Sequence, residues 1–196
     1  FNDRVVLMYL TKPNPYKMYV SQWSSPKGVQ ILRDSPHDHV HHHALMFAIG
    51  IDGVDFWGES PEAKPGKQLL DDGVATSTRT VDGISSATIA HGVKWVNTLG
   101  TPLALESRTI QWQIDSAEKV SVLTWRFSLR PPAEKDRVQL WGRHYFGLGI
   151  RFIESMDKGG EFLNPVKQDG EVVRGTERLD RAPWCAFVGS ADGDLV

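Results

Sequence analysis

The feature that most constrains the fold is an alternation of apolar and polar side chains in the second half of the chain. Every second residue from 104 to 114 would lie on one face: Ala104, Glu106, Arg108, Ile110, Trp112 and Ile114. Successive side chains of a β-strand point to opposite faces of its sheet, so this period of two predicts a strand with one buried face. Residues 86–98 and 120–129 alternate in the same way, and Asp52-Gly53 and Asp82-Gly83 are typical of hairpin turns.

No segment shows a convincing helical period with caps at its ends. The sequence therefore predicts an all-β fold, an antiparallel β-sandwich or barrel with long loops and little helix. We favour the sandwich. Residues 44–51 are apolar throughout, which predicts a strand buried on both faces. A length of 196 residues suits a single domain over 1–196, and the character of both ends leads us to expect that the chain is truncated at one or both of them.

Composition argues against several classes of partner. A formal net charge of −2 gives no indication of binding to nucleic acid or to an anionic membrane surface. No apolar run approaches the roughly 20 residues that span a bilayer, so we expect a soluble protein of the cytoplasm or the periplasm. The single cysteine, Cys185, excludes an intramolecular disulfide and is expected to be a small buried hydrophobe. Oligomeric state is not indicated.

Five of the seven histidines fall between residues 37 and 43, at His37, His39, His41, His42 and His43. Packing explains such a cluster poorly, because each ring needs hydrogen-bond partners and neighbouring rings repel when protonated. Metal ligation, proton transfer and binding of a polar ligand are the uses that it suits. In an extended backbone, His42 would face away from the other four histidines.

A His-x-His pair can bind one metal ion, so His39 and His41 are the candidate metal ligands. The third ligand would come from Asp38, Glu59, Glu106, His144 or Glu154. We expect no cofactor if the site does acid–base chemistry and a divalent metal under the alternative hypothesis. His37 and His43 are interpreted as exposed and without a role, and His91 as a core histidine with its hydrogen bonds satisfied.

Residues 143–156 form the second segment of interest. A strand is expected across residues 141–153, with His144, Phe146 and Leu148 on one face. Arg143, Tyr145 and Arg151 would lie on the other face, where Gly147 and Gly149 leave room for a ligand or a neighbouring backbone. Glu154 would lie near Arg151 or the histidines, and a histidine beside a carboxylate supplies acid–base chemistry at neutral pH.

Ligand contacts are expected from aromatic residues near the loops. Trp57 and Trp141 could stack on sugar rings, and Tyr145 shares the predicted ligand face with Arg151. Core packing is the alternative role for both tryptophans.

The run Asp38-His-Val-His-His-His-Ala-Leu45, followed by Asp55-Phe-Trp57, resembles a bacterial family of unknown function labelled PmoA-like. The usual run of that family is Asp-His-Pro-His-His-Arg-Gly-Leu, so Val40, His43 and Ala44 depart from it. The segment from His144 to Met156 is similar to its Gly-Leu-Gly-(Tyr)-Arg-Phe strand, and the resemblance covers about Tyr19 to Val188. It implies a large β-sandwich similar to those of sugar mutarotases, and a role in carbohydrate catabolism.

Three functional hypotheses follow. The first is an enzyme that does acid–base chemistry on a sugar, by epimerisation, hydrolysis or β-elimination, with oxidised sugars among its substrates. His39, His41, His42, His144 and Glu154 would form its site, with His42 or His144 as the base, Glu154 as the acid or orienting carboxylate, and Arg151 on a ligand oxygen. The second is a metal-dependent enzyme built on the same histidines. The third is a non-catalytic sugar-binding sandwich in which Trp57 and Trp141 stack on the rings. The expected partner is a small-molecule or oligosaccharide ligand.

Overall fold

A computed structural model of the chain describes residues 4–12, 16–165, 170–175, 177–191 and 194–195. The described residues contain β-strands and two short 3₁₀-helices, Pro61–Ala63 and Glu154–Met156, but no α-helix. The predicted all-β class is confirmed. No helix in this part of the chain is long and apolar enough to cross a membrane. The chain divides into two compact units, Phe1–Arg151 and Phe152–Val196, and the single domain over 1–196 stays a prediction.

The first unit consists of two larger antiparallel sheets and one small one. Its strands are β1 (Leu7–Leu10), β2 (Tyr19–Trp23), β3 (Leu45–Ala48), β4 (Gly50–Ile51), β5 (Val54–Asp55), β6 (Lys67–Leu70), β7 (Ala75–Val81), β8 (Ile84–Val96), β9 (Pro102–Asp115), β10 (Val120–Arg130), β11 (Leu140–Trp141) and β12 (Gly147–Ile150). One sheet has the order β1-β2-β3-β12, and the second has the order β10-β9-β8-β6, with β7 also pairing with β8. Strands β11, β4 and β5 form the small sheet.

The two larger sheets face each other across aromatic side chains. The ring of Phe47 on β3 lies 5.8 Å from that of Trp95 on β8 and 4.1 Å from that of Phe127 on β10, measured between centroids. Tyr9 on β1 contacts Trp125 on β10 edge to face at 6.2 Å. Phe47 and Trp95 are buried, Tyr9 and Trp125 are half-buried and Phe127 lies at the exposed margin, so apolar burial between the sheets is centred on Phe47 and Trp95.

The alternation of residues 104–114 is confirmed, since all six predicted inward residues on β9 are buried. Two of them are charged. Glu106 accepts hydrogen bonds from Arg108 Nε at 2.6 Å and from Trp95 Nε1 at 2.8 Å. Arg108 also donates to Tyr9 Oη at 3.0 Å, and its guanidinium lies 4.9 Å from the centre of the Trp125 ring. Because each charge has a close partner, this pair is tolerated inside the sandwich.

His91 is a buried histidine with both ring nitrogens in hydrogen bonds, as predicted. Its Nε2 lies 2.9 Å from Tyr9 Oη and its Nδ1 3.1 Å from the Gly92 carbonyl oxygen. The expected hairpins at Asp52-Gly53 and Asp82-Gly83 are also confirmed, because all four residues have positive φ, as two-residue hairpin turns require.

The long strand expected across residues 141–153 is wrong. Strand β11 ends at Trp141, a turn closed by a hydrogen bond from Phe146 N to Arg143 O follows, and β12 begins only at Gly147. Gly147 has φ +122°, a value that favours glycine, so the chain changes direction there. His144 and Phe146 therefore lie in the turn and do not share a strand face with Leu148.

The described part of the second unit contains three pairs of short antiparallel strands, two of them hairpins. Its strands are β13 (Glu161–Leu163), β14 (Glu171–Arg174), β15 (Glu177–Leu179), β16 (Ala186–Val188), β17 (Ser190–Ala191) and β18 (Asp194–Leu195), paired as β13-β16, β14-β15 and β17-β18. Phe187 contacts Phe152 at 5.1 Å and Phe162 at 4.6 Å. Cys185 is exposed, so its prediction as a buried hydrophobe is wrong: it lies just before β16, a strand whose own side chains are only half-buried.

Candidate functional site

Residues 36–43, which we call the histidine turn, form a compact loop and not an extended strand. His39 N donates to Pro36 O and His42 N donates to His39 O, both at 2.9 Å. The two ends of the segment pair with each other, because Ser35 N donates to His42 O at 3.0 Å. The predicted alternation, with His42 facing away, is therefore wrong, since the hydrogen-bonded turns rotate the side chains out of a two-residue period.

The turn brings the rings of His39, His41 and His42 together. Ring centroids are 4.8 Å apart for His39 and His42, 4.5 Å for His41 and His42, and 6.1 Å for His39 and His41. Burial lowers the pKa of His41, with the Lys17 cation adding to the effect. Burial, with His41 and His39 beside it, lowers the pKa of His42 to about 4. Both rings are therefore neutral at neutral pH.

His43 lies apart from these three rings, and its prediction as an exposed histidine without a role is wrong. The residue is 5% exposed. Its Nδ1 lies 2.9 Å from Asp34 Oδ1 and its Nε2 lies 2.9 Å from Glu59 Oε1. Burial alone would lower the pKa of His43, but the hydrogen bonds to the two carboxylates outweigh it and raise the pKa above its ordinary value. His37, in contrast, is exposed.

Two further residues complete what we call the His43 network, which consists of Lys17, Tyr19, Asp34, His43 and Glu59. The Tyr19 ring stacks on His43 at 4.5 Å, and its hydroxyl donates to Asp34 Oδ2 at 2.6 Å. Lys17 Nζ lies 2.9 Å from Glu59 Oε1 and has a side chain with no exposed surface.

Lys17 also fixes the backbone on both sides of the site. Its Nζ donates to the carbonyl oxygen of Trp57 at 2.6 Å and to that of His41 at 3.1 Å. The segments that carry these two residues are therefore joined through one buried ammonium group. Sequence reasoning missed Lys17, Tyr19 and Asp34; Glu59 was named, but as a metal ligand.

The turn after β5 presents Trp57 next to the histidine turn. Asp55 Oδ1 accepts hydrogen bonds from Trp57 N at 2.6 Å and from Gly58 N at 3.2 Å, a local side-chain cap that fixes the turn. Phe56 is buried against Trp95 at 4.9 Å. Trp57 contacts His42 edge to face at 5.6 Å. In this sequence Asp55 caps the turn, Phe56 packs in the core and Trp57 contacts the histidine turn.

A cavity of about 200 Å³, which we call the Trp57 pocket, lies beside these residues. The described residues that line it are His42, His43, Ala44, Met46, Trp57, Tyr145, Gly149, Ile150 and Arg151. Strand β12 delivers Arg151 to this place, because Arg151 N donates to Ala44 O at 2.6 Å at the end of the β3-β12 ladder. Ala44 has φ +28°, a strained value for alanine, at the point where the histidine turn enters β3.

Glycine at position 149 makes room for the pocket wall. A Cβ atom on Gly149 would lie 2.9 Å from Trp57 Cη2 and 3.9 Å from Met46 Cε. The indole of Trp57 therefore packs directly on the backbone of β12. The space at Gly149 that was expected to admit a ligand or a neighbouring backbone is occupied by the Trp57 indole.

Four of the predicted site residues line the pocket: His42, Trp57, Tyr145 and Arg151. His39 lies beside it, with Nδ1 2.9 Å from Asp38 Oδ2, and that oxygen is 3.7 Å from an Arg151 terminal nitrogen.

The other predicted residues lie elsewhere. Trp141 packs on Gly50, where a Cβ would be 2.1 Å from its ring, and the Phe146 ring contacts both Trp141 and Trp57. His144 is exposed in the turn before β12 and contacts Tyr145 at 4.9 Å. Glu154 belongs to the second unit, in the 3₁₀-helix Glu154–Met156.

A metal at His39 and His41 stays a prediction. Within the described ranges, no group of three or more His, Cys, Asp and Glu side chains is placed to hold a metal ion. Two of the proposed third ligands are engaged otherwise, Glu59 by Lys17 and His43, and Glu106 by Arg108.

The model of a family described as "Family of unknown function (DUF6807)" matches residues 1–195. No curated protein and no solved structure matches the chain. The PmoA-like label stays a prediction, because the matching family carries no such description. The family model spans almost the whole sequence, and the chain therefore belongs to the DUF6807 family of unknown function.

Proposed function

We propose that this chain is a carbohydrate-active protein that holds a small polar ligand in the Trp57 pocket and transfers a proton there through His42. The observation that carries the proposal is the set of side chains in one small cavity: two aromatic residues, Trp57 and Tyr145, beside the guanidinium of Arg151 and the neutral ring of His42. Aromatic faces with a few convergent polar groups are typical of sites for small polar molecules.

The size of the cavity favours a small ligand. Its volume of about 200 Å³ is below the range of roughly 300 to 1,000 Å³ that drug-sized ligands occupy. A monosaccharide is therefore a better candidate than an oligosaccharide buried along its length.

The polar groups favour some sugar reactions over others. Glycoside hydrolysis ordinarily uses a pair of carboxyl groups on either side of the scissile bond. None of the described residues that line the pocket is Asp or Glu. A neutral imidazole can instead remove a proton from carbon next to a carbonyl or carboxyl group, so epimerisation and β-elimination are favoured over hydrolysis.

Roles within the pocket follow from position. His42 is the base, and Arg151 holds a ligand oxygen. Trp57 and Tyr145 form the apolar wall against which a sugar ring would pack. Besides burial, His41 and His39 lower the pKa of His42. His144 and Glu154 have no role in this scheme.

Proton exchange tests the proposal without knowledge of the product. The protein is incubated in D₂O with four monosaccharides and their uronic or aldonic acids, and deuterium at carbon is followed by NMR. We expect exchange in one compound, reduced at least about 100-fold in His42→Ala and unchanged in His37→Ala. Undiminished exchange in His42→Ala would remove the role of His42, and absence of both binding and exchange would contradict the proposal.

A non-catalytic sugar-binding protein is a second candidate, favoured by the low pKa of His42. A general base is most effective when its pKa lies near the working pH, and a pKa of about 4 is well below neutrality. Saturable sugar binding without deuterium exchange would support this candidate.

A metal-dependent enzyme is a third candidate, supported by the proximity of the His39, His41 and His42 rings. Burial keeps the rings of His41 and His42 neutral, which is the form of histidine that binds metals. Elemental analysis of protein purified without an affinity tag tests it. One equivalent of metal, lost in His39→Ala and His41→Ala, would support this candidate, and a substoichiometric amount would contradict it.

A further inference from the structure

We infer that the ligand of the Trp57 pocket is a sugar acid whose carboxylate is held by Arg151. The inference rests on the proposed function and narrows it to a class of substrate. It is carried by the hydrogen-bonding state of Arg151, by the charges around the pocket and by the size of the cavity.

Arg151 makes few contacts for a guanidinium group with five N–H donors. In the described part of the chain, its Nε is buried without a hydrogen-bond partner, and its one ion pair is the long 3.7 Å approach to Asp38. A buried donor without a partner is unfavourable because it has lost its hydrogen bonds to water. A ligand acceptor in the pocket would remove that penalty.

Arg108 shows what a purely structural arginine looks like in this fold. Its Nε and both terminal nitrogens donate to Glu106, Tyr9 and Gln68, at distances from 2.6 to 3.4 Å. All three nitrogen atoms of the Arg108 guanidinium therefore donate hydrogen bonds within the sandwich. Arg151 keeps its side chain 29% exposed in the pocket wall, with most of its donor capacity outside the contacts of the fold.

The charges around the pocket select an anion. The residues that line it include Arg151 and His43. His43 lies between the carboxylates of Asp34 and Glu59, and Glu59 also pairs with Lys17, so the charges of this network offset one another. Arg151 is therefore the cation that the described lining residues leave for a ligand, and a cation in a partly enclosed site favours an anion.

A carboxylate fits better than a phosphate. The planar guanidinium fork matches both groups, but phosphate sites usually gather several donors, often at the N-terminus of a helix. Arg151 is the one lysine or arginine among the described lining residues, and no α-helix occurs among the described residues. Trp57 adds a buried indole Nε1, which has no hydrogen-bond partner within the described ranges and can only donate.

Calorimetric titration with matched pairs of ligands tests the inference. The pairs are D-glucuronate with D-glucose, D-galacturonate with D-galactose, D-mannuronate with D-mannose, and D-gluconate with D-glucitol. We expect at least one acid to bind 10-fold or more tightly than its neutral partner. Arg151→Gln should weaken that acid roughly 10- to 100-fold and weaken its neutral partner by a clearly smaller factor.

Two further variants control the result. Arg151→Lys keeps the positive charge but loses the paired N–H donors of the guanidinium. The affinity of this variant for the sugar acid should therefore lie between those of the native protein and Arg151→Gln. Arg79→Gln removes an exposed arginine on β7 and should bind like the native protein. Far-UV circular dichroism shows that each variant is folded.

Other results of the titration would contradict the sugar-acid inference, the carboxylate assignment or the proposed function. If sugars bind but no acid binds more tightly than its neutral partner, or if Arg151→Gln does not weaken the acid, the sugar-acid inference is wrong while the proposed function stands. If D-glucose 6-phosphate binds more tightly than every acid, the carboxylate assignment is wrong. If no member of any pair binds at millimolar concentration, both the inference and the proposed function are contradicted.

Discussion

His43 and Glu59 are joined by a contact of 2.9 Å between Nε2 and Oε1, while the other ring nitrogen of His43 faces Asp34 at the same distance. A neutral imidazole carries one N–H and can donate to only one of two carboxylates, whereas an imidazolium donates to both. The geometry therefore favours protonation of His43, in agreement with its raised pKa. The side chain of His43 is thus held by contacts of the fold itself.

Replacement of His43 should destabilise the protein. His43→Ala leaves Asp34 and Glu59 without the donor between them, and we expect a loss of about 1 to 3 kcal/mol in the free energy of unfolding. Urea titration followed by tryptophan fluorescence measures it. The matched control is His37→Ala, which changes an exposed histidine of the same turn and should stay within about 0.5 kcal/mol of the native protein. Equal stability of the two variants would contradict the bridging role of His43.

The stability of the protein should fall on both sides of neutrality. His42 causes the loss on the acid side and His43 the loss on the alkaline side. The raised pKa of His43 stabilises the fold below its unfolded value of about 6.5, and that stabilisation is lost as the pH rises through the folded pKa. The pKa of His42, lowered to about 4, has the reverse effect: between about pH 6.5 and 4 the unfolded chain binds more protons, so stability falls on acidification.

Unfolding midpoints measured from pH 4 to 9 check these signs. His42→Gln should reduce the loss of stability on the acid side, and His43→Gln should reduce the loss on the alkaline side. NMR titration of the histidine rings measures the two pKa values directly, and the pKa of His42 should be lower than that of His43. A His43 ring that titrates below its unfolded value of about 6.5 would contradict the His43 network.

Lys17 should be important for stability, because it joins two segments of the site. Lys17→Met removes the partner of Glu59 and the donor to the carbonyl groups of His41 and Trp57, and we expect a loss of about 3 to 5 kcal/mol. Lys94→Met is the matched control, since Lys94 pairs with Asp71 at the surface and should contribute at most about 1 kcal/mol. Similar losses in the two variants, measured by urea titration, would show that Lys17 does not join the segments.

The antiparallel sheets could be predicted from the sequence because a strand that is buried on one face alternates inward-facing and outward-facing residues along the chain. Residues 104–114 are the clearest case, and even the buried charges Glu106 and Arg108 kept the period of two. The strand expected across residues 141–153 failed because the turn before Gly147 depends on a backbone conformation that side-chain alternation does not reveal.

The site was less predictable because its contacts join distant residues. His42, Trp57, Tyr145 and Arg151 were identified by residue type, and the structure places them around one cavity. His43 was misjudged because its two partners, Asp34 and Glu59, meet it only after folding. Lys17 gave no local signal, since the groups that it binds lie 24 to 42 positions further along the chain.

Filling the space beside Trp57 should reduce ligand binding. Gly149→Ala places a methyl group 2.9 Å from Trp57 Cη2, so the indole must shift, and we expect a loss of about 1 to 3 kcal/mol in stability with weaker binding of sugar acids. Gly73→Ala is the control, because a Cβ there meets nothing within 4 Å. It should leave binding unchanged and stability equal or up to about 1 kcal/mol higher. Unchanged binding by Gly149→Ala would argue against the pocket.

The most direct test of the central claim is an NMR titration that locates the ligand. The ¹⁵N-labelled protein is titrated with the sugar acid that binds best in calorimetry, and every indole and backbone amide signal is followed. We predict saturable shifts of the Trp57 indole N–H and of the Ala44 and Arg151 amides, at one dissociation constant, with the exposed Trp184 unaffected. Shifts that cluster elsewhere, with the Trp57 signal unchanged at saturation, would show that the Trp57 pocket is not the ligand site.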